Sequence, residues 1–193
     1  MLSKRKIEER EQRKSKIIDG ALKVFKAQGI EKTTMDEIAL ESGFGKATLY
    51  YYFASKDEVF IAIMETGWKQ LWEGIESLIV DNKNPKEKFI NIVKEVASIV
   101  DNNKNLYGFL FTAPNHIQDA SKQTWKTYQE RLYSILKSII EEGIKANEFI
   151  KLDPNLLMKA IGGLFHGLLI SNEDSIDKNE FEFMLQNFLK PDK

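Results

Sequence analysis

The chain of 193 residues has no cysteine, only four prolines and only two histidines. Without cysteine it can form neither disulfides nor thiolate metal sites, as expected in a reducing cytoplasm. His116 and His166 lie far apart and have no carboxylate or histidine partners at metal-ligand spacing, so we expect no metal site. There is no apolar run of about 18 residues and no signal peptide, which predicts a cytoplasmic protein without membrane spans.

Enzyme signatures are missing as well. The sequence has no GxxxxGK[ST] phosphate-binding loop, no GxSxG nucleophile turn and no paired carboxylates beside a motif that would form a cleft. We therefore predict no catalytic residues and no cofactor.

What is present is an uneven distribution of charge. The net charge is −1, but residues 1–16 contain seven basic and three acidic residues, whereas residues 61–193 contain 16 basic and 19 acidic residues. A basic N-terminal segment favours contact with DNA. Its first cluster, Lys4-Arg5-Lys6, has two interpretations: an arm that contacts phosphates, or a disordered tail that only adds solubility.

The most informative segment is residues 43–60, GFGKATLYYYFASKDEVF. Upstream of it, Thr34 and Glu37 have the spacing of a capping box, which predicts a short helix followed by a glycine-containing turn and a second short helix. On the second helix, Leu49 and Phe53 share an apolar face. The other face offers a cation, hydroxyls and one small residue to a DNA groove: Lys46, Ala47, Thr48, Tyr50 and Tyr51.

A second capping box, Ser55-Lys56-Asp57-Glu58, opens the next helix. Lys56 lies in the first turn, where a cation opposes the helix dipole. Such an unfavourable placement suggests a role, and contact with a phosphate is the natural one.

Residues 14–60 resemble the DNA-binding domain of the tetracycline-repressor (TetR) family of bacterial regulators. The resemblance is carried by Ile17-Ile18, Ala21-Leu22, Phe25, Gly29, Thr33-Thr34, Ile38-Ala39, Gly43, Lys46, Thr48-Leu49-Tyr50, Tyr52-Phe53 and Lys56. It implies that Lys46 and Ala47 approach bases. It also implies that the residues holding phosphates are Thr34, Tyr50, Tyr51 and Lys56. Gly45 stands where the family often has serine, and glycine is an acceptable N-cap.

Beyond residue 60 the apolar residues follow helical spacing throughout. We therefore predict an all-α fold with two domains. Residues 1–55 would form the N-terminal arm and a three-helix helix-turn-helix domain, and residues 56–193 a helical domain for effector binding and dimerisation. The predicted helices of the second domain include 56–81, 120–147, 154–171 and 178–189.

A weaker resemblance to TetR-family chains continues through Glu141-Glu142-Gly143-Ile144, Asp153-Pro154 and Gly167-Leu168. It implies that helices 120–147 and 154–171 pair with their copies in a dimeric four-helix bundle. Each glycine inside a helix costs about 1 kcal/mol relative to alanine, so glycines here need a packing reason. We assign Leu132, Ala160, Gly163 and Gly167 to this interface and leave position 136 unassigned.

Aromatic residues are frequent in the middle of the chain, and the resemblance implies an effector pocket there. Candidate pocket residues are Trp68, Trp72, Phe109, Phe111, Trp125, Tyr128, Phe165 and His166. The alternative is that these aromatics at helical spacing simply form the core. Because the candidates carry few charges, an apolar or aromatic effector fits them better than a sugar phosphate.

These expectations combine into one hypothesis. The chain would be a homodimeric, ligand-responsive repressor that binds a pseudo-palindromic operator and is released by a small, largely apolar effector. Two alternatives stay open: a helix-turn-helix protein without an effector, and a helical ligand carrier or enzyme with an incidental helix-turn-helix.

Overall fold

The computed structural model describes residues 4–80, 83–113, 124–167 and 177–189, and these residues are helical apart from short connections. No strand occurs within them. The helices are α1 (Lys4–Gln28), α2 (Met35–Glu41), α3 (Lys46–Tyr52), α4 (Lys56–Ile79), α5 (Pro85–Asn102), α6 (Lys104–Thr112), α7 (Thr124–Lys145), α8 (Pro154–Phe165) and α9 (Lys178–Phe188). The predicted helices at 56–81, 120–147, 154–171 and 178–189 correspond to α4, α7, α8 and α9. Residues 81, 120–123 and 168–171 of these predictions, and His116, lie outside the described residues.

Polar side chains cap the helix starts. Thr34, Ser55, Asn84 and Asp153 each accept a hydrogen bond from the backbone N–H three residues ahead, which satisfies a donor that the helix itself leaves unpaired. Proline occupies the first position of α5 and α8, where its missing N–H costs nothing. Gly43 follows α2 with φ of 72°, a conformation that glycine adopts without strain.

The first three helices form a small core around Ile17, Ala21, Ile38 and Leu49, all of which are buried. α1 approaches the turn between α2 and α3 closely at Gly20, where an added Cβ would lie 2.8 Å from Ser42. This contact fixes the direction in which α1 leaves the helix-turn-helix.

In the rest of the chain α7 packs against α4, α5 and α8, α6 packs against α4 and α5, and α9 packs against α5. Large side chains such as Trp68, Leu71 and Phe89 fill the space between them. The N-terminal helices are joined to this layer because α1 contacts both α4 and α6. Ser55 caps α4 at the predicted domain boundary, and that division of the chain remains a prediction. No helix in the described ranges is long and apolar enough to cross a membrane.

Candidate functional site

The short helix α3 presents one face to the core and the other to solvent. Leu49 and Phe53 are buried in the core and α3 packs against α2, so its orientation is fixed before any partner arrives. On the outer face Tyr51 is 71% exposed and Tyr50 is 45% exposed. Lys46 and Ala47 are exposed beside them, Thr48 is half-buried, and Gly45 forms an extended N-cap without a side-chain hydrogen bond.

Lys46 forms an ion pair between α3 and α2. Its ammonium lies 2.8 Å from a carboxylate oxygen of Asp36. This hydrogen bond raises the pKa of Lys46, so the side chain stays cationic across the neutral range. A DNA phosphate approaching Lys46 would have to compete with Asp36 for it.

Thr34 takes part in the capping box that opens α2. Its hydroxyl donates to Glu37 Oε2 at 2.8 Å, and its backbone N–H donates to the same oxygen at 2.8 Å. The bonds from Thr34 lower the pKa of Glu37, the backbone bond first, and Gln28 contributes to the same shift. Thr34 is exposed, but its hydroxyl hydrogen is already engaged within the protein.

Lys56 is placed differently from the phosphate contact that the sequence predicts. Its ammonium donates to the backbone carbonyls of Ile30 and Glu31 at 2.9 Å and of Thr33 at 3.3 Å. Three acceptors match the three hydrogens of an ammonium. Lys56 therefore fastens the loop between α1 and α2, and its cost at the start of α4 is offset by these bonds.

A cavity of about 740 Å³ lies between α5, α6, α7 and α8. The α5 wall is apolar throughout, and Phe111 is contributed by α6. The lining residues are Phe89, Ile92, Val93, Val96, Phe111, Leu132, Tyr133, Ser134, Leu136, Lys137, Asn155, Met158, Lys159, Ile161, Gly162, Phe165 and His166.

The polar groups of the cavity come from α7 and α8. Lys137 from α7 and Lys159 from α8 bring two cations, and within the described ranges neither has an ion-pair partner. Burial raises the pKa of the Tyr133 phenol, which therefore remains a neutral donor. Such a cavity suits a molecule that is apolar over most of its length and anionic at one end.

Two family models match the chain. The model described as bacterial regulatory proteins, tetR family, matches residues 17–63, and the model described as tetracyclin repressor-like, C-terminal domain, matches residues 82–169. The chain belongs to the TetR family. It is a DNA-binding transcriptional regulator rather than an enzyme.

Known relatives agree with this assignment. The fatty acid metabolism regulator protein of Bacillus subtilis is 26% identical over 151 residues, which is 76% of each chain. Other curated regulators match over 33% to 94% of their own length. The crystal structure of AibR in complex with isovaleryl coenzyme A and operator DNA has the same fold, with a TM-score of 0.77, 18% identity and coverage of 92% and 97% of the two chains. FadR from Bacillus subtilis in complex with stearoyl-CoA has a TM-score of 0.69, 23% identity and coverage of 91% and 98%.

Three of the eight predicted pocket residues of this TetR-family chain line the cavity: Phe111, Phe165 and His166. Trp68 lies behind the lining, with its ring centroid 5.7 Å from that of Phe111 and 6.2 Å from that of Tyr133. The remaining four do not line it: Trp72, Phe109, Trp125 and Tyr128.

Two of these four have clear alternative partners. Trp72 stacks under Arg131, whose guanidinium lies 4.0 Å from the ring centroid. Phe109 packs against Phe25 of α1 and Phe60 of α4. Sequence reasoning also missed Lys137, Lys159 and Gly162, because lysines at helical spacing look like an ordinary solvated face.

The predicted dimer residues fall into two groups. Leu132 is only 5% exposed and lines the cavity, so little of its side chain is available to a second subunit, and its place at the interface stays a prediction. On α8, Ala160, Gly163 and Gly167 are exposed, and Leu156, which lies on the same side, is 54% exposed. Among the described residues, an added Cβ at Gly163 or Gly167 would meet no atom within 4 Å.

Consecutive residues of α6 connect the cavity with the DNA-binding helices. Phe111 lines the cavity. Leu110 packs so closely against Gly67 of α4 that an added Cβ there would clash with the Leu110 side chain. The ring of Phe109 lies 5.9 Å from both Phe25 of α1 and Phe60 of α4. The short helix α6 thus contacts the cavity, the long helix α4 and helix α1 of the DNA-binding region.

Proposed function

We propose that this chain is a homodimeric repressor that binds a pseudo-palindromic operator through α3 and is released by an amphipathic acyl ligand. A protein with this function works in the cytoplasm, where the DNA is. The observation that carries the proposal is the cavity with an apolar wall and two cations, joined through α6 to the helix-turn-helix.

The DNA-binding half of the proposal rests on the outer face of α3. Lys46 and Ala47 would approach base edges, and the hydroxyls of Thr48, Tyr50 and Tyr51 would reach phosphates. The N-cap Gly45 leaves the backbone open to close approach. We keep Thr34 among the proposed phosphate contacts because it is exposed at the start of α2. We remove Lys56 from them because its three ammonium hydrogens already bind backbone carbonyls.

Dimerisation would use α8 rather than α7. The face formed by Leu156, Ala160, Gly163 and Gly167 is exposed and has small side chains, which allow two helices to approach closely. A glycine inside a helix costs about 1 kcal/mol relative to alanine. Since an added Cβ at Gly163 would meet no atom within 4 Å in the described part of its own chain, contact with a second subunit gives this glycine a packing reason. Two α3 helices could then reach half-sites about one DNA turn apart.

The effector would be a long or branched acyl group with an anionic head, such as an acyl-CoA or a fatty acid. The α5 wall accepts the chain, and each methylene buried there would contribute about 0.8 kcal/mol. Lys137 and Lys159 would hold the carboxylate or the phosphates of the head. The neighbours that bind isovaleryl coenzyme A and stearoyl-CoA support this class of ligand for the fold. The two lysines thus extend the largely apolar effector predicted from the aromatics.

Release would pass through α6. A ligand against Phe111 that moves α6 must also move Leu110, which has no free space beside Gly67 of α4, and Phe109, which touches α1. Tyr107 adds a second connection, since its hydroxyl lies 3.3 Å from Gln70 of α4. The mechanism requires the ligand to bind the conformation with lower DNA affinity more tightly.

The test is operator release by defined probes. Isovaleryl-CoA, stearoyl-CoA, stearate and coenzyme A alone would be titrated into the complex of the full chain with a duplex selected from a random pool. We expect release by at least one acylated probe and none by coenzyme A alone. The double variant Lys137→Gln/Lys159→Gln should weaken that release by tenfold or more, at about 1.4 kcal/mol per tenfold change.

A matched control removes two lysines of α7 that do not line the cavity. Lys126→Gln/Lys145→Gln has the same change in charge and should release normally. If no acylated probe binds, as judged by calorimetry, the regulator without an effector becomes the better description. If probes bind but no duplex is selected, the ligand carrier is favoured instead.

A further inference from the structure

Residues 4–16 form an N-terminal extension of α1, which we call the arm. It is helical and exposed along its length, with Lys14 alone half-buried. The arm projects about 20 Å beyond the buried part of α1, at 1.5 Å per residue. The arm has seven basic residues. Within the described structure, Lys14 contacts an aromatic ring and two others form surface ion pairs, and these contacts do not explain the remaining charge.

The charges of the arm are sorted by face. Lys6, Arg10 and Arg13 follow each other at spacings of four and three, on one line that continues to the buried Ile17. Lys14 lies next to this line. The face that packs against protein in the following turns of α1 is therefore cationic in the arm.

The neighbouring line, about 90° around the helix, has balanced charge. Arg5, Glu9 and Lys16 continue toward the exposed Asp19. Arg5 pairs with Glu9 at 3.0 Å, and Lys4 lies 4.0 Å from Glu8. Ion pairing thus uses the carboxylates on the outer side, and within the described ranges Lys6, Arg10 and Arg13 have no ion-pair partner.

The base of the arm lies beside the DNA-binding helix. Lys14 Nζ is 5.8 Å from the centre of the Phe53 ring, and Phe53 is the C-cap of α3. The close contact between Gly20 and Ser42 fixes α1 against the turn before α3. Consequently the arm extends from the protein next to α3. Its cationic face points to the same side of α1 as the buried residues that pack against the DNA-binding helices.

We propose that the arm binds the phosphate backbone of duplex DNA outside the segment read by α3, through Lys6, Arg10 and Arg13. The inference rests on the proposed operator binding. An arm of about 20 Å spans about six base pairs at 3.4 Å each, so the contacts extend the binding site on both flanks. Of the two interpretations of Lys4-Arg5-Lys6, this assigns Lys6 to DNA, whereas Lys4 and Arg5 form exposed ion pairs with Glu8 and Glu9.

Duplex DNA fits the arm better than a membrane surface. A membrane-binding helix needs a broad apolar face opposite its cations. Among residues 4–16 the one large apolar side chain is Ile7, and it lies among the cations rather than opposite them.

The experiment compares two triple variants of the full chain on the same selected operator. Lys6→Gln/Arg10→Gln/Arg13→Gln removes the cationic face, and Lys4→Gln/Arg5→Gln/Lys16→Gln removes the same charge from the remaining surface. Binding would be measured as a function of salt on duplexes with zero, four, eight and twelve flanking base pairs. Glutamine is a good helix former, so both variants keep the arm helical.

On long flanks we expect the first variant to lower the slope of log K against log salt by about 2.7 per subunit, at 0.9 per phosphate contact. The control should keep the slope of the unmodified chain, and the difference should vanish on the duplex without flanks. Equal slopes for both variants would overturn the inference, and so would a loss that persists without flanks. If no duplex is selected at all, or if Tyr51→Ala binds like the unmodified chain, it is the proposed operator binding that fails.

Discussion

The outer surface of α3 and the cavity between α5 and α8 are built in opposite ways. The α3 surface is convex, comes from seven consecutive residues, and is held in place by buried Leu49. The cavity is concave and draws its lining from four helices separated along the chain. Side chains that protrude form the first, whereas the second depends on the missing side chain of Gly162 and on lysines that reach inward. The first surface would bind through protruding side chains, whereas the second would bind through the empty volume between its helices.

The largest effect should come from Tyr51→Ala on α3. If each of two subunits loses about 1.4 kcal/mol of contact energy, the operator affinity falls by about 100-fold, measured by fluorescence anisotropy. Because Tyr51 is mostly exposed, the variant should keep its dimer, its helicity and its unfolding free energy.

The control for this prediction is Leu49→Ala on the inner face of the same helix. It removes a buried side chain and should lower the unfolding free energy by about 2–5 kcal/mol. Unchanged operator affinity in Tyr51→Ala would mean that the outer face of α3 is not the DNA-binding surface.

A pair of adjacent glycines separates the cavity from the dimer face. Gly162 lines the cavity, whereas Gly163 lies on the exposed face of α8. Gly162→Leu should weaken acyl-ligand binding by about tenfold, equivalent to two methylenes of about 0.8 kcal/mol each, and leave the dimer intact. Gly163→Leu should do the reverse, with dimer dissociation visible by analytical ultracentrifugation.

Neither leucine meets another atom within 4 Å of its Cβ in the described structure, and each gains helix propensity. Loss of folding therefore does not explain either result. If both variants lose the same function, the two faces of α8 are not separate sites.

An intermediate effect is expected from Lys56→Met. Loss of hydrogen bonds from a cation to carbonyls should lower the unfolding free energy by about 1–3 kcal/mol, seen as a drop in Tm. Well below Tm, the salt slope of operator binding should not change. A slope reduced by about 0.9 per subunit would instead restore Lys56 as a phosphate contact.

The smallest effect is expected from Asp36→Asn, which frees Lys46 for DNA. An exposed pair of this kind holds its partners only weakly, so the operator affinity should rise by only about twofold. Glu41→Gln is the matched control. Glu41 forms an ion pair with Lys23 of α1 at 3.2 Å, and neither residue belongs to α3. Equal affinities for the two variants would mean that the Asp36 pair does not restrain Lys46.

The two regions also differ in how far the sequence predicts them. The capping box at Thr34, the N-cap at Ser55 and the two faces of α3 depend on residues within four positions of each other, so their spacing was sufficient to predict them. The reciprocal half of the box predicted at Ser55 is absent, because the Glu58 carboxylate accepts from the backbone N–H of Ala54 instead. The cavity depends on which helices meet, and Trp72 and Trp125 look the same in sequence whether they line it or fill the core. Lys56 shows a similar limit, because its acceptors lie more than 20 residues away.

Trp68 gives the cavity an optical reporter. Its indole is buried in contact with Phe111 and Tyr133, and its N–H has no hydrogen-bond partner among the described residues. A ligand that displaces either ring changes the polarity around this indole. Intrinsic emission would then follow occupancy of the cavity in the unmodified chain, without a label. The Trp68→Phe variant is the control for this measurement. Its emission comes from Trp72 and Trp125, which do not line the cavity.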